Sequence, residues 1–223
     1  KKDSKHNNCF CLLSFIYGIF TLRKILLYPV DLELTQRSII KISKIAGGLI
    51  MNFENKKIIV AYFSHKGENY SNGRIVELKM GNTAIAAQMI ADSLNADTFE
   101  IKAVNEYPFE YNACTEEAKA ELRDNSRPKL AENMDISDYD IVFLGYPNWW
   151  GTMPMVVWTF LESHDFRGKI VMPFCTHEGS GMGNSERDLK KLIPNADIRK
   201  GLAIHGSSVS KAKSTINHWL ENV

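Results

Sequence analysis

Three short stretches carry residue types suited to holding a flat, charged molecule. The first is Gly145–Pro154, "GYPNWWGTMP", in which two tryptophans stand side by side in a loop bounded by proline and glycine. Trp is costly to expose, and a loop offers little to bury it against. Trp149 and Trp150 therefore read either as core or interface residues, in the company of Met153 and Met155, or as a platform for a planar aromatic ligand. An offset stack adds roughly 0.5–1.5 kcal/mol beyond area burial. Pro147 fixes the backbone before Asn148, and Gly151 loosens it afterwards. The second stretch is Thr176–Gly183, "THEGSGMG", with glycines at 179, 181 and 183. Their backbone N–H groups can approach a ligand closely; the alternative is a flexible turn in which His177 and Glu178 are ordinary polar residues. The third is split, with Ser64-His65-Lys66-Gly67 in one part and Gly81-Asn82-Thr83 in the other. Hydroxyls and free N–H groups at a helix start suit an anion. The plainer reading is that Asn82 or Thr83 only caps the helix.

Each stretch follows a run that predicts a buried strand. Lys56–Phe63, Tyr139–Tyr146 and Lys169–Cys175 each have a charged or polar entry and then continuous apolar residues, as strands covered on both faces require. Asp97–Lys102 alternates like a strand nearer an edge, and Ile198–His205 is a fifth candidate. Helical patterns fall between them. Asn82–Asn95 puts Ile85, Met89, Ile90 and Leu94 on one face. Asn112–Asn125 is rich in Ala, Glu and Lys, Pro154–Ser163 opens on a first-turn proline, Ser185–Leu192 opens on serine and acids, and Ser208–Val223 closes the chain. Strict β-α alternation predicts an open, doubly wound parallel sheet with right-handed crossovers. Its ligands bind beyond the carboxyl ends of the strands, where the strand order switches, so the three stretches converge on one rim. The connection between Ser64 and Gly81 is long for a strand-to-helix loop. Within it, Tyr70–Gly73 reads as a turn and "RIVELKM" as a hairpin arm.

One loop then suits a phosphate, one an aromatic plane and one a polar ring edge. That set describes a flavin mononucleotide (FMN) site better than a dinucleotide site. No G-x-G-x-x-G follows the first strand and no G-x-x-x-x-G-K-[ST] occurs, which removes the NAD-type and P-loop readings. Residues 57–223 resemble the flavodoxin-like family, specifically bacterial members with the motifs "GYPxWWGTxP" and "PFCTHxGSG". The resemblance implies a five-stranded parallel sheet of order 2-1-3-4-5 with helices on both faces, and FMN as cofactor. It places Ser64, Lys66, Asn82 and Thr83 at the phosphate, across a loop that is interrupted here by the insertion. It sets Pro147, Asn148, Trp149, Trp150 and Gly151 beside the isoalloxazine, so that the cofactor buries the tryptophan pair. Thr176, His177, Glu178, Gly179 and Gly183 would line the pyrimidine side. A protonated His177 near the flavin N1 would stabilise the reduced anion and give a potential less negative than in a typical flavodoxin.

Composition narrows the classes further. The first fifty residues hold eight of the 27 basic and three of the 26 acidic residues, which leaves 19 against 23 and a net charge of −4 in 51–223. A nucleic-acid binder would show the opposite bias. Of the four cysteines only Cys114 and Cys175 lie in 51–223, in unrelated contexts without metal-ligand spacing, which fits a reducing, cytoplasmic setting. Within the first fifty residues, Cys9–Leu22 is an apolar run shorter than the roughly 20 residues of a membrane span. Ala46-Gly47-Gly48 is encodable as a ribosome-binding sequence at a suitable distance before Met51. The expectation is that residues 1–50 are an extension, either translated upstream DNA ahead of a native start at Met51, or a disordered tail, an anchor or signal, or a docking segment; 51–223 form the FMN-binding domain. The functions to weigh are an FMN electron carrier serving a partner protein or small acceptor, an FMN-dependent NAD(P)H oxidoreductase acting on quinones or similar small acceptors, and a flavin-free interaction module. Two roles are open for the insertion and its Asn69 and Tyr70: folding over the phosphate, or forming a homodimer.

Overall fold

The structure, a computed structural model, describes residues 53–223. The expectations for residues 1–50 lie outside the described residues.

The central sheet is built from β1 (Ile58–Tyr62), β4 (Asp97–Glu100), β5 (Ile141–Pro147), β6 (Ile170–His177) and two short segments, β7 (Asp197–Ile198) and β8 (Leu202–His205). The order β4-β1-β5-β6-β7, with β8 also on β6, is parallel throughout. Numbered by lane, this is the expected order 2-1-3-4-5. Side chains alternate between the two faces of the sheet, and both faces are apolar because both are covered. Ile59, Ala61, Val142 and Leu144 point into one core, with Val156 and Phe160 of α3 (Met155–Glu162) and Leu189 of α4 (Ser185–Leu192). Val60, Phe143, Met172 and Phe174 point into the other, with α1 (Asn82–Leu94) and α5 (Lys213–Glu221). Helix α2 (Tyr111–Arg123) joins the first core through Cys114.

Helix α1 buries Thr83, Ala86, Ala87, Ile90 and Ala91, the i, i+3, i+4, i+7, i+8 stripe of an amphipathic helix. This stripe is rotated from the expected one, since Ile85, Met89 and Leu94 are only partly buried. Small alanines let the helix axis come close to the sheet, and the larger residues fill the flanks.

The fifth lane departs from a continuous strand. Val171 pairs with Ile198 and Phe174 with Leu202, so the outer lane holds one residue more than β6 does over the same span. That extra residue is a bulge. Val171 accepts the Arg199 N–H at 3.0 Å, and Pro173, two residues on, faces the same way. The missing proline N–H therefore falls where the ladder is already broken. The Gly201 N–H is instead taken by the Glu186 carboxylate at 2.8 Å. The insertion after β1 is an antiparallel hairpin, β2 (Gly67–Ser71) with β3 (Arg74–Leu78). Its two-residue turn is Asn72-Gly73, both at positive φ (49° and 84°), as a type I′ turn demands.

Candidate functional site

Beyond the end of β1, Ser64 Oγ accepts the Ala84 N–H of the first turn of α1 at 3.0 Å. Ser64 is thus the cap, from outside the helix, and neither Asn82 nor Thr83 fills that role; Gly81 stands at the N-cap position without a side-chain bond. A Cβ on Gly81 would run into Ser64 Oγ and the His65 carbonyl. Strand end and helix start are therefore in direct contact, and the hairpin loops out between them. Its β2 edge is tied to the start of α2 by Glu68 N–H to Phe109 O (2.9 Å) and by Tyr111 N–H to Glu68 Oε2 (3.0 Å). Its tip is tied across to the third loop by Asn72 N–H to Glu178 Oε2 (3.2 Å).

In the second loop, Trp149 and Thr152 exchange both backbone hydrogen bonds, at 2.9 and 3.1 Å, around Trp150 (φ 52°) and Gly151 (φ 84°). This tight turn sends the two indoles apart. Trp149 packs inward, edge-on to Phe63 (5.3 Å between centroids), Tyr107 (5.0 Å) and His65 (5.8 Å). Trp150 remains 49% exposed, with Nε1 donating to Thr115 O at 3.0 Å and Lys119 Nζ 5.0 Å over its ring. Trp149 is partly buried by protein and Trp150 has the more open ring; both line the same cleft.

The third loop is knitted to the second. Asn148 donates from Nδ2 to Gly181 O (2.8 Å) and accepts the Gly151 N–H on Oδ1 (3.0 Å). Gly183, at φ 56°, sits where any Cβ would meet the Gly151 carbonyl. Thr83 and Thr176 share a buried hydroxyl–hydroxyl bond of 2.7 Å, which joins α1 to the end of β6. Glu178 accepts the Ser207 N–H at 2.6 Å on its other oxygen and lies 3.6 Å from His205 Nδ1. His177 Nδ1 accepts the Gly179 N–H at 2.9 Å. Burial first, and then the neighbouring His205, hold the His177 imidazole below its ordinary pKa, against the opposing pull of Glu178. A ring that accepts at Nδ1 is the neutral Nε2–H tautomer.

The three loops enclose one cleft of about 330 Å³. Asn82, Thr83, Pro147, Asn148, Trp149 and Trp150 line it, as do Thr176, His177 and Glu178. Ser64, Lys66, Gly151, Gly179 and Gly183 are not on its wall; Ser64 and Gly183 act behind it, and Lys66 is exposed. The opposite wall is made by Glu68, Asn69 and Tyr70 of the hairpin, whose role the sequence left open, and by Tyr111, Cys114 and Thr115 of α2, which sequence reasoning missed. The length of the insertion was a signal for the hairpin residues; nothing local marked α2. Among the described residues no lysine or arginine lines the cleft, and no group of three or more His, Cys, Asp or Glu could hold a metal ion. No helix among them is long and apolar enough to cross a membrane.

The sequence model of the flavodoxin family matches residues 57–223. The chain belongs to the flavodoxin family. Among solved structures, this flavodoxin-family chain is similar to a candidate flavoprotein from Bacteroides eggerthii, with 31% identity and a TM-score of 0.57 over 73% of this chain and 99% of that one. A candidate flavoprotein from Bacteroides uniformis gives 30% identity and a TM-score of 0.58, over 74% and 99%. A flavoprotein from Lactobacillus acidophilus, solved in complex with FMN, shares the fold at 20% identity and a TM-score of 0.52, over 70% and 97%. No curated protein matches the chain.

The residues present fit a flavin mononucleotide. Much of the polar lining is already hydrogen-bonded; the groups left for a ligand include the Asn82 amide, the Ser180 hydroxyl and His177 Nε2. A phosphate would meet the start of α1, where the helix dipole favours negative charge. The two carboxylates of the wall, Glu68 and Glu178, already accept backbone N–H groups.

Proposed function

We propose that the cleft binds FMN and that the protein acts in electron transfer, in the reducing cytoplasm, passing electrons to a partner protein or small acceptor. The observation that carries this reading is the meeting of three strand-end loops in one cleft, with the start of α1 in one part of its wall and an open indole in another. Bound FMN supplies one- and two-electron chemistry; the chain supplies position and electrostatics. The first turn of α1 and Asn82 hold the phosphate with neutral groups and the helix dipole, without a lysine or arginine. Trp150 covers one face of the ring system. The neutral His177 offers Nε2–H to a ring oxygen, and the glycine-rich turn brings its backbone to the pyrimidine edge. Cys114 and Cys175 are both buried free thiols, which suits the reducing compartment. Cys114, on the cleft wall, is pushed up to about 12 by burial and by Glu117 and Glu121, so it stays a thiol.

The test is the visible spectrum of the purified full chain, together with titration of FMN followed by quenching of its fluorescence. Flavin bands and saturable quenching are expected; a colourless protein that leaves FMN fluorescence unchanged refutes the reading. A second reading, direct reduction of quinones by NAD(P)H, is favoured by the aromatic rim: Tyr70 is 44% exposed and lies 6.3 Å from Tyr111, beside the open Trp150 ring. Steady-state NADPH oxidation with a quinone separates the two.

A further inference from the structure

One line of contacts leads from the cleft wall through the protein to a carboxylate. Trp149 lines the cleft, and its indole meets the buried Tyr107 edge-on, 5.0 Å between centroids at 86°. Phe63 stands edge-on to both rings, at 5.3 and 5.4 Å, and holds the pair in place. The Tyr107 hydroxyl donates to Glu121 Oε2 at 2.7 Å, and Glu121, in the last turn of α2, is half-buried. Burial, and then the bond to Glu121, hold the Tyr107 phenol far above its ordinary pKa, so it keeps its proton. Burial also raises the Glu121 carboxyl, against the pull of the Tyr107 bond, which makes the carboxylate a stronger base.

Indoles and phenols give up single electrons to strong oxidants. A phenol does so readily only where a base within hydrogen-bond reach takes its proton at the same time, and Glu121 stands at that distance. The more open Trp150 is placed differently: its Nε1–H goes to a backbone carbonyl, Thr115 O, which takes up no proton. Resting on the FMN reading above, we propose that Trp149, Tyr107 and Glu121 form a radical relay that draws an oxidising equivalent away from a light-excited flavin in the cleft. Trp149 gives one electron to the excited, oxidised flavin. Tyr107 gives one electron to the Trp149 radical cation and passes its phenolic proton to Glu121 along the 2.7 Å bond. The balance is a flavin reduced by one electron, a restored Trp149, a neutral Tyr107 phenoxyl radical and a protonated Glu121. Return of the electron from the flavin and of the proton from Glu121 resets the relay. The step from Trp149 to Tyr107 takes the oxidised site off the cleft wall and delays that return.

The experiment uses the full chain loaded with FMN, flashed by a laser and followed by transient absorption, with paramagnetic resonance of samples frozen under illumination. In the wild type a tryptophan radical band should decay into a tyrosyl band, more slowly in D2O than in H2O. Tyr107→Phe keeps the ring against Trp149 and removes the hydroxyl. It should lose the tyrosyl signal and leave a tryptophan radical that recombines directly with the flavin. Glu121→Gln keeps a hydrogen-bond acceptor that takes no proton. It should form the tryptophan radical as before and lose most of the tyrosyl yield. A tyrosyl band that survives Tyr107→Phe would place the radical on Tyr70 or Tyr111, the other tyrosines of the cleft wall, and overturn the relay. So would a tyrosyl yield untouched by Glu121→Gln, or a flash that gives no tryptophan radical. Wild-type chain that binds no FMN would sink the FMN reading and the relay with it, a result distinct from bound flavin whose flash leaves Tyr107 unoxidised.

Discussion

Replacing Trp149 and Trp150 by alanine, one at a time, should separate protein stability from ligand affinity. Trp149 meets Phe63, Tyr107 and His65 edge-on at 5.0–5.8 Å and packs against the first core cluster. Removing a core Trp costs 3–5 kcal/mol; Trp149 is only partly buried, so about 3 kcal/mol is the working figure. At about 2–4 °C per kcal/mol for a domain of this size, the flavin-free protein should melt about 6–12 °C lower. Trp150 is 49% exposed and offers one hydrogen bond to Thr115 and one exposed Lys119 contact. Exposed contacts of these kinds are worth together about 1–2 kcal/mol, so its melting point should fall less, by about 2–8 °C. For flavin the order reverses. Loss of an open stacking face and its burial removes about 1–3 kcal/mol, a fall of roughly 5- to 150-fold in affinity for Trp150→Ala. Calorimetry of the flavin-free variants and fluorescence titration with FMN read both axes. If Trp150→Ala loses as much stability as Trp149→Ala and binds FMN as the wild type does, the assignment of the two indoles is wrong.

The Thr83–Thr176 hydroxyl pair predicts non-additivity: Thr83→Val strands a buried Thr176 hydroxyl and should cost about 1–3 kcal/mol in urea unfolding, whereas the Thr83→Val/Thr176→Val double variant should recover most of it. An additive double variant would show that the bond does not couple the loops. Glu178→Gln weakens the charge-assisted bonds to Asn72 and Ser207. Amide exchange across the hairpin tip should speed up about tenfold, while exchange in the central strands stays as it was; unchanged protection at Asn72 refutes the clasp. Burial lowers the pKa of His65 and His177 from the ordinary 6.5. Below pH 6.5 the unfolded chain binds protons that the folded one resists, so this stability is full above 6.5 and drains as pH falls through the folded values. Urea midpoints should drop between pH 7.5 and 5, less steeply in His65→Phe; the same slope in both proteins would remove His65 from the effect.

What the sequence made legible, and what it left hidden, follows from the range of the forces involved. Lanes β1, β5 and β6 announced themselves because a strand covered on both faces must be apolar at every position, a property of consecutive residues. The Asn72-Gly73 turn was equally local, since few other residue pairs adopt positive φ twice in succession. The bulge in the fifth lane was not, because it answers Pro173 on the neighbouring strand, a partner that the run from Ile198 to His205 does not contain. The site divides the same way. Its loops were found because glycines and tryptophans are conspicuous in a row. The second partners of individual residues were hidden wherever they lay far along the chain. Ser64 spends its hydroxyl on Ala84, Thr83 on Thr176, Asn148 on Gly181 and Glu178 on Asn72 and Ser207. Each of these residues looked free to hold a ligand, and each also holds another part of the chain. A polar residue in a ligand loop is therefore as often mortar as it is contact.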